Sequence, residues 1–248
     1  MKKIIFFGIL SFVLAALWLL PLSIVKPYAE QMIKGLKLDG VSGTIWRGGA
    51  QQFTVNNNYL GKVDWRVSPL QSLTSLSLKT DFSIDGDELS AKGLAGLSVN
   101  KKLILTNTQF DMQASYINKL QKNAQLAGDF KGNITFAELQ QQELPQIDGV
   151  LDWNDGAVNS PIKLEAGNYR AQIKPVAGDL EIIVSSNAAP IELNGDIKLK
   201  SDWSFTTNLI VKTNESGLNA MIKLAGKQQP DGTILINQSG NLKPYIGK

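Results

Sequence analysis

Apolar and polar side chains alternate along most of the chain from residue 41 onward. In LSLKTDFSID (76–85), Leu76, Leu78, Phe82 and Ile84 share one face, and polar residues occupy the other. Comparable runs occur at 103–114, 180–185, 191–205, 209–213, 221–225 and 233–237. A period of two gives each strand one apolar and one wet face, which is typical of antiparallel sheets. The pattern therefore predicts a mostly β body.

Turn-forming residues separate these runs. They are Asn56–Asn58, Asp85–Asp87, Asp155-Gly156, Asn194-Gly195 and Pro230–Gly232. Asn, Asp and Gly tolerate the backbone angles that tight turns between antiparallel strands require. We therefore expect a twisted antiparallel β-sheet, and the sequence leaves open whether that sheet is open, curled or folded into a sandwich.

Residues 4–25 form a run without a single charge. At about 1.5 Å per residue, such a helix spans roughly 33 Å, enough for the hydrocarbon core of about 30 Å. A cleaved signal peptide is the alternative. Cleavage after Ala16 or Ala29 would place Leu14 or Pro27 at the −3 position, where signal peptidase prefers a small residue. The run predicts an uncleaved single-pass transmembrane anchor with a cytoplasmic N-terminus and an exported body, although the flanking lysines do not themselves decide this orientation.

The remaining organisation follows from this anchor. Residues 1–3 are expected to form a cytoplasmic tail and residues 26–40 a juxtamembrane connector, although 27–38 also fit a short helix. The stretch FAELQQQELPQ (136–146) carries a glutamine tract and a proline, and it indicates a linker. It would divide the body into two similar β halves, 41–135 and 147–248.

A glycine and tryptophan motif opens each predicted half. GTIWRGGA (43–50) and GVLDWNDGA (149–157) share Trp-x-x-Gly-Ala, and GKVDWR (61–66) echoes them. A tryptophan followed by glycine favours a strand that ends in a tight turn, with alanine starting the return strand. Duplication and chance similarity are equally open, and core anchoring is favoured over a platform for stacking sugars. The candidate motif residues are Gly43, Trp46, Gly49, Trp65, Pro69, Gly149, Trp153 and Gly156.

Composition excludes most catalytic and metal chemistry. The chain has no histidine and no cysteine, which removes the usual nucleophile–base pairs and the commonest transition-metal ligands. The acidic stretches at 85–88 and 152–156 lack the spacing of a calcium loop and favour hairpin turns. The net charge of +3 comes without clustered Lys and Arg, so nucleic acid is not expected as a partner. We predict a protein that is not an enzyme and has no cofactor, metal site or catalytic residue.

The basic tail, the apolar run and two later stretches together resemble a known family. VSGTIWRGGA (41–50) and KVDWRVSPLQSL (62–73), which contains Trp65, Pro69 and Leu70, resemble type II secretion system protein N. The resemblance implies an inner-membrane-anchored accessory component of the machinery that exports folded proteins across the outer membrane. It implies other secretion-system subunits as partners and no catalytic residues.

Two other functions are compatible with the residues. The alternation of apolar and polar positions also suits an envelope protein whose sheet curls into a groove and binds or bridges lipid. An envelope hydrolase acting through a pair of carboxylates is the least favoured of the three functions, because no pair of acidic residues stands out.

Overall fold

The computed structural model describes residues 18–68, 77–98, 100, 102–160, 163–213 and 216–245. The predicted tail (1–3), residues 4–17 of the predicted anchor, Pro69 and Leu76 lie outside these residues. Within the described part of the chain, no helix is both long enough and apolar enough to cross a membrane.

The chain divides into two compact units, Met1–Lys92 and Gly93–Lys248. The described residues of the first unit include one helix and four complete strands. These are α1 (Leu22–Met32), β1 (Leu36–Gly43), β2 (Arg47–Val55), β3 (Asn58–Val67) and β4 (Ser77–Asp85). Strand β5 (Leu89–Ser98) spans the boundary between the units.

The described residues of the second unit include nine further strands and short helices. They are β6 (Leu103–Gln113), α2 (Ala114–Leu120), β7 (Gln125–Leu139), β8 (Gln146–Ser160), β9 (Leu164–Val176), β10 (Asp179–Asn187), β11 (Ile191–Leu199), β12 (Ser204–Thr213), α3 (Ser216–Ala225), β13 (Lys227–Gln228), β14 (Ile234–Asn241) and a 3₁₀ turn at Lys243–Tyr245.

The strands form one 14-stranded antiparallel sheet whose order follows the sequence from β1 to β12 and ends in β14 and β13. The predicted mostly β, antiparallel fold is therefore confirmed. Several connections are the expected tight turns, and Asn56 and Asn57 have φ of +50° and +65° in the β2–β3 turn. Two consecutive residues with positive φ are typical of the turn that best matches the twist of a hairpin.

The segments predicted as a linker and as a connector both contain the ends of regular elements. Of the predicted linker 136–146, Phe136–Leu139 end β7, Gln146 begins β8, and the residues between them join these two strands. The predicted connector 26–40 contains the end of α1 and the beginning of β1.

Three local predictions are wrong. Residues 221–225 belong to helix α3 rather than to a strand, because five alternating residues also fit one helical turn. The run 191–205 is two strands joined at 200–203, where Trp203 has φ of +67°. Asn194-Gly195 lies inside β11, with Gly195 at φ +150°, rather than in a turn.

Fully buried apolar residues are few. In the first unit, Leu38, Ala50 and Val63 form a small cluster, with Phe53 and Trp65 packed against it. In the second unit, apolar residues from β7 to β14 share one face of the sheet. Most of them are half-buried, while Leu180, Val211 and Ile234 are buried. This half-covered apolar face is the setting of the second tryptophan site.

Candidate interaction site

Three of the predicted motif residues of the first unit line one cleft. Gly43, Gly49 and Trp65 border an open cleft of about 520 Å³ on strands β1 to β4. Trp65 lies on β3, directly opposite Gly48 of β2 and Phe82 of β4. Its indole Nε1 donates a hydrogen bond to the Ile45 carbonyl at 3.0 Å, which fixes the ring. The motif residues therefore build the walls of this cleft.

The glycines of this cleft are required by close packing. A Cβ on Gly48 would lie 2.6 Å from the Thr44 carbonyl oxygen and 3.2 Å from the Trp65 ring. A Cβ on Gly49 would lie 2.5 Å from Asp64 Oδ1. Both distances below 3 Å are too short for a real contact, so side chains here would displace the strands or the tryptophan.

The cleft is also charged. Arg47 and Arg66 lie directly opposite each other on β2 and β3, and Asp81 lies opposite Arg66 on β4. Neither guanidinium has an ion pair within the described part of the chain. Asp64, by contrast, pairs with Lys62 at 2.8 Å, and this hydrogen bond raises the pKa of Lys62. The cleft therefore carries both signs of charge, and it is suited to a polar or charged group.

Trp46 does not lie in a strand, contrary to the prediction. It sits in the connection between β1 and β2, and its ring stacks on Trp18 with a centroid distance of 5.7 Å and an interplanar angle of 22°. The expectation of a strand that carries Trp46 into a turn is therefore wrong, because the strand ends at Gly43 before the tryptophan.

The second unit holds Trp153 in the middle of an aromatic row. Trp153 of β8 pairs with Phe130 of β7 and Tyr169 of β9. The Phe130 ring stacks at 5.2 Å and 8°, and the Tyr169 ring lies at 5.5 Å and 36°. Trp153 Nε1 donates to the Ala127 carbonyl at 2.9 Å. The polar atom of the indole is therefore satisfied within the protein, and its rings present an apolar surface.

A bulge in β8 follows this tryptophan. Asp155 has φ of +49°, and the pairing with β9 shifts between Trp153 and Gly156. The strand continues to Ser160, so the predicted hairpin at Asp155-Gly156 is wrong. A Cβ on Gly156 would lie 2.4 Å from the Trp153 ring, and glycine therefore allows the ring to lie over the bulge.

Trp153 and Gly156 line a second cavity, of about 330 Å³, on the apolar face of the second unit. Its other walls include Leu151, Val158, Leu164, Val184 and Leu193. Burial raises the pKa of the Tyr169 phenol at its edge. Such a lining offers almost no hydrogen-bonding groups, so this cavity suits an aliphatic or aromatic group.

The opposite face of the same strands is polar. Asp152 accepts two hydrogen bonds from Arg170, at 2.6 and 3.0 Å, and this pairing raises the pKa of Arg170.

Gly149 is buried, and a Cβ there would lie 2.7 Å from the Asn133 carbonyl oxygen. Gly149 therefore serves the close approach of β7 and β8 rather than the cavity.

The structure changes which two sequences correspond. Trp65 and Trp153 both lie within strands, both donate to a carbonyl of a preceding segment, and both border a cavity. The matching sequences are GKVDW (61–65) and GVLDW (149–153), which align as Gly-x-x-Asp-Trp without a gap. The shared Asp-Trp pair is the sequence feature that indicates this correspondence. The Trp-x-x-Gly-Ala pattern instead aligns Trp153 with Trp46, which lies in a loop.

Among the described residues, no group of three or more acidic side chains could hold a metal ion. The two cavities differ instead as recognition surfaces, one charged and one apolar. The cleft of the first unit suits a charged or polar group, and the cavity of the second unit suits an apolar group.

Comparison with known proteins bears on both units. The family model described as type II secretion system (T2SS), protein N, matches residues 34–237, well over half of the 248 residues. The chain belongs to the type II secretion system protein N family. No curated protein and no solved structure gives a significant match. The resemblance of 41–50 and 62–73 is thereby confirmed, and membership makes the chain a component of type II secretion.

Proposed function

We propose that the chain is a non-catalytic, inner-membrane-anchored periplasmic component of the type II secretion machinery that supports export of folded proteins across the outer membrane. Family membership over residues 34–237 carries the proposal, because the match spans strands of both units. The uncharged run at 4–25 supports the anchor and the exported body.

Contact with other secretion subunits is supported by the edge of the sheet at β14. β14 pairs with β12 along its length, but β13 covers only Ile234 and Leu235 on the other side. The segment from Asn237 to Asn241 is exposed and has no strand neighbour on that side within the described residues. Unpaired backbone groups on such an edge can receive a strand from another protein.

Site-specific crosslinking in living cells tests this role. A photo-crosslinking residue at Ser239 should capture a secretion subunit, whereas the same residue at its register partner Thr206, on the inner strand β12, should capture much less. Deletion of the gene should reduce the amount of exported protein outside the cell. Unchanged export together with equal crosslinking at both positions would overturn the proposal.

The periplasmic location has a separate test. Because the chain has no cysteine, a single cysteine replacing exposed Lys200 provides one labelling site. A thiol reagent that does not cross the inner membrane should label Lys200→Cys in cells with a permeabilised outer membrane. Labelling only after the inner membrane is disrupted would place the body in the cytoplasm.

Lipid binding is the second candidate function, and the apolar cavity beside Trp153 favours it. Lipid should co-purify with the full chain, and Val184→Glu in the cavity wall should reduce the bound lipid seen by native mass spectrometry. Ile183→Glu is the matched control, because Ile183 lies next in sequence on the exposed face. Equal lipid content in both variants would argue against binding at this cavity.

A further inference from the structure

Helix α1 (Leu22–Met32) has its charged and apolar faces reversed relative to an ordinary surface helix. Its charged residues face the sheet: Lys26 Nζ lies 2.9 Å from Asp39 Oδ1, and Glu30 Oε1 accepts the Leu38 N–H at 2.7 Å. Leu22 is the buried residue of the helix. Both charged side chains of the helix thus bind β1, instead of facing solvent.

The outward side of the helix carries an apolar stripe. Ile24, Tyr28 and Met32 follow one another at intervals of four residues, so they line up along one side. Their exposed fractions are 55%, 65% and 85%. Leu19 and Ile33, 67% and 55% exposed, continue the apolar surface at the two ends. An ordinary surface helix buries such a stripe against the core and exposes its charges.

We propose that the stripe of Ile24, Tyr28 and Met32 lies in the interfacial layer of an anionic phospholipid bilayer. The chain outside the described residues supports this occupant, because residues 4–17, which lead directly into Trp18 and α1, are uncharged and mostly apolar. A bilayer that receives those residues lies beside the helix. The inference rests on the proposed membrane anchor and adds a second, surface contact to it.

Charge and aromatic residues around α1 fit the same occupant. Lys34 and Lys37 follow the helix, are exposed, and have no ion pair within the described residues. Free lysines next to an apolar stripe are attracted to anionic headgroups. Trp18 and Tyr28, 56% and 65% exposed, are the residue types that settle at the headgroup level.

A fluorescent probe on the full chain tests the proposal. The absence of cysteine allows Met32→Cys to carry a single environment-sensitive nitrobenzoxadiazole label. Leu224→Cys is the matched control, because Leu224 is an apolar helix residue, 90% exposed, in the second unit. Both variants are reconstituted into vesicles of phosphatidylethanolamine and phosphatidylglycerol.

The label at position 32 should show blue-shifted emission, a several-fold gain in intensity, and quenching by lipids with a nitroxide near the headgroup. The label at position 224 should keep the emission of a probe in water. Water-like emission at both positions would overturn the proposal. Emission at position 32 that is blue-shifted only after a secretion subunit is added would assign the stripe to a protein partner and overturn the lipid assignment.

This outcome is separate from that of the secretion role. The probe is read on purified protein in vesicles, so a chain that has no part in export would still give the blue shift. Conversely, a chain that crosslinks to secretion subunits through β14 would still give water-like emission at position 32 if α1 does not touch lipid.

Discussion

The sites around Trp65 and Trp153 begin from the same five-residue pattern and end with opposite surfaces. Gly61–Trp65 and Gly149–Trp153 both place an indole on a strand and tie its N–H to a carbonyl. In the first unit the result is a charged cleft, whereas in the second it is an apolar cavity.

The neighbouring strands make this difference. Trp65 lies opposite Gly48, which has no side chain, and the guanidinium groups of Arg47 and Arg66 in the cleft have no ion pair within the described residues. Trp153 lies between Phe130 and Tyr169, and its charged neighbour Asp152 pairs with Arg170 on the opposite face. The motif thus supplies the position of the ring, and the residues in register with it decide what the surface can bind.

The largest expected effect is on stability and separates the two tryptophans. Trp153→Ala should lower the free energy of unfolding by about 3 kcal/mol, because it removes the ring that packs between Phe130 and Tyr169. Trp65→Ala should cost about 2 kcal/mol, since that ring stacks on no other aromatic ring in the described chain. Native-state hydrogen exchange can assign the loss to each unit. An equal or larger loss for Trp65→Ala would remove the distinction between the sites.

A conservative variant separates the ring from its hydrogen bond. Trp153→Phe keeps an aromatic group between Phe130 and Tyr169 but leaves the Ala127 carbonyl without the indole donor. We expect a loss of about 1 kcal/mol in the free energy of unfolding, measured with urea. A loss as large as that of Trp153→Ala would mean that the hydrogen bond, rather than stacking, fixes the ring.

The bulge at Gly156 gives the next effect. Gly156→Ala should cost about 2 kcal/mol, because its Cβ would meet the Trp153 ring at 2.4 Å and force the ring to move. The control Gly178→Ala has φ of +90° but nothing within 4 Å, and it should cost about 1 kcal/mol from backbone strain alone. Urea unfolding measures both. Unchanged stability in Gly156→Ala would show that the ring can shift freely.

A smaller effect belongs to the polar face of the second unit. Asp152→Asn removes the carboxylate that holds Arg170, yet it should leave Trp153 emission unchanged, because the pair lies on the other side of the strand. The loss of stability should be below that of Gly156→Ala, since exposed ion pairs contribute little. A shifted Trp153 emission would show that the two faces are coupled.

The smallest effect is acid sensitivity in the turns of the second unit. The Thr233 hydroxyl and N–H hold the pKa of Asp231 below its usual value. A carboxyl with a lower pKa in the folded state stabilises the fold above its unfolded pKa of about 3.9, and loses this contribution as pH falls through the folded value. The hydrogen-exchange protection factors of the β13–β14 turn, corrected for the intrinsic rate at each pH, should therefore fall in acid. Asp231→Asn should abolish this pH dependence, and an unchanged profile would contradict it.

The sequence predicts strands well where alternation is long and fails where turn chemistry is read alone. Asn56-Asn57 is a real hairpin turn, yet Asp155-Gly156 uses the same backbone tolerance for a bulge inside a 15-residue strand. Local residues allow positive φ in both cases, and only pairing with β7 and β9 decides whether the strand continues.

The sites were harder to predict than the strands. Both glycine and tryptophan motifs were recognisable, but the partners that set their chemistry come from other strands, as Phe82 does for Trp65 and Phe130 for Trp153. The register between neighbouring strands therefore has to be known before the charge or polarity of a site can be predicted. Residues 221–225 form part of a helix rather than the predicted strand, because five residues are too few to distinguish the helical period from the strand period.

The strand order has a consequence for how the chain reaches its native state. From β1 to β12, each strand lies beside the one that precedes it in sequence. Closing such neighbours requires only short loops, which costs little chain entropy and favours rapid folding. A growing sheet of this kind can add one hairpin at a time from its amino-terminal end, so a chain delivered progressively from that end has a partner ready for each new strand.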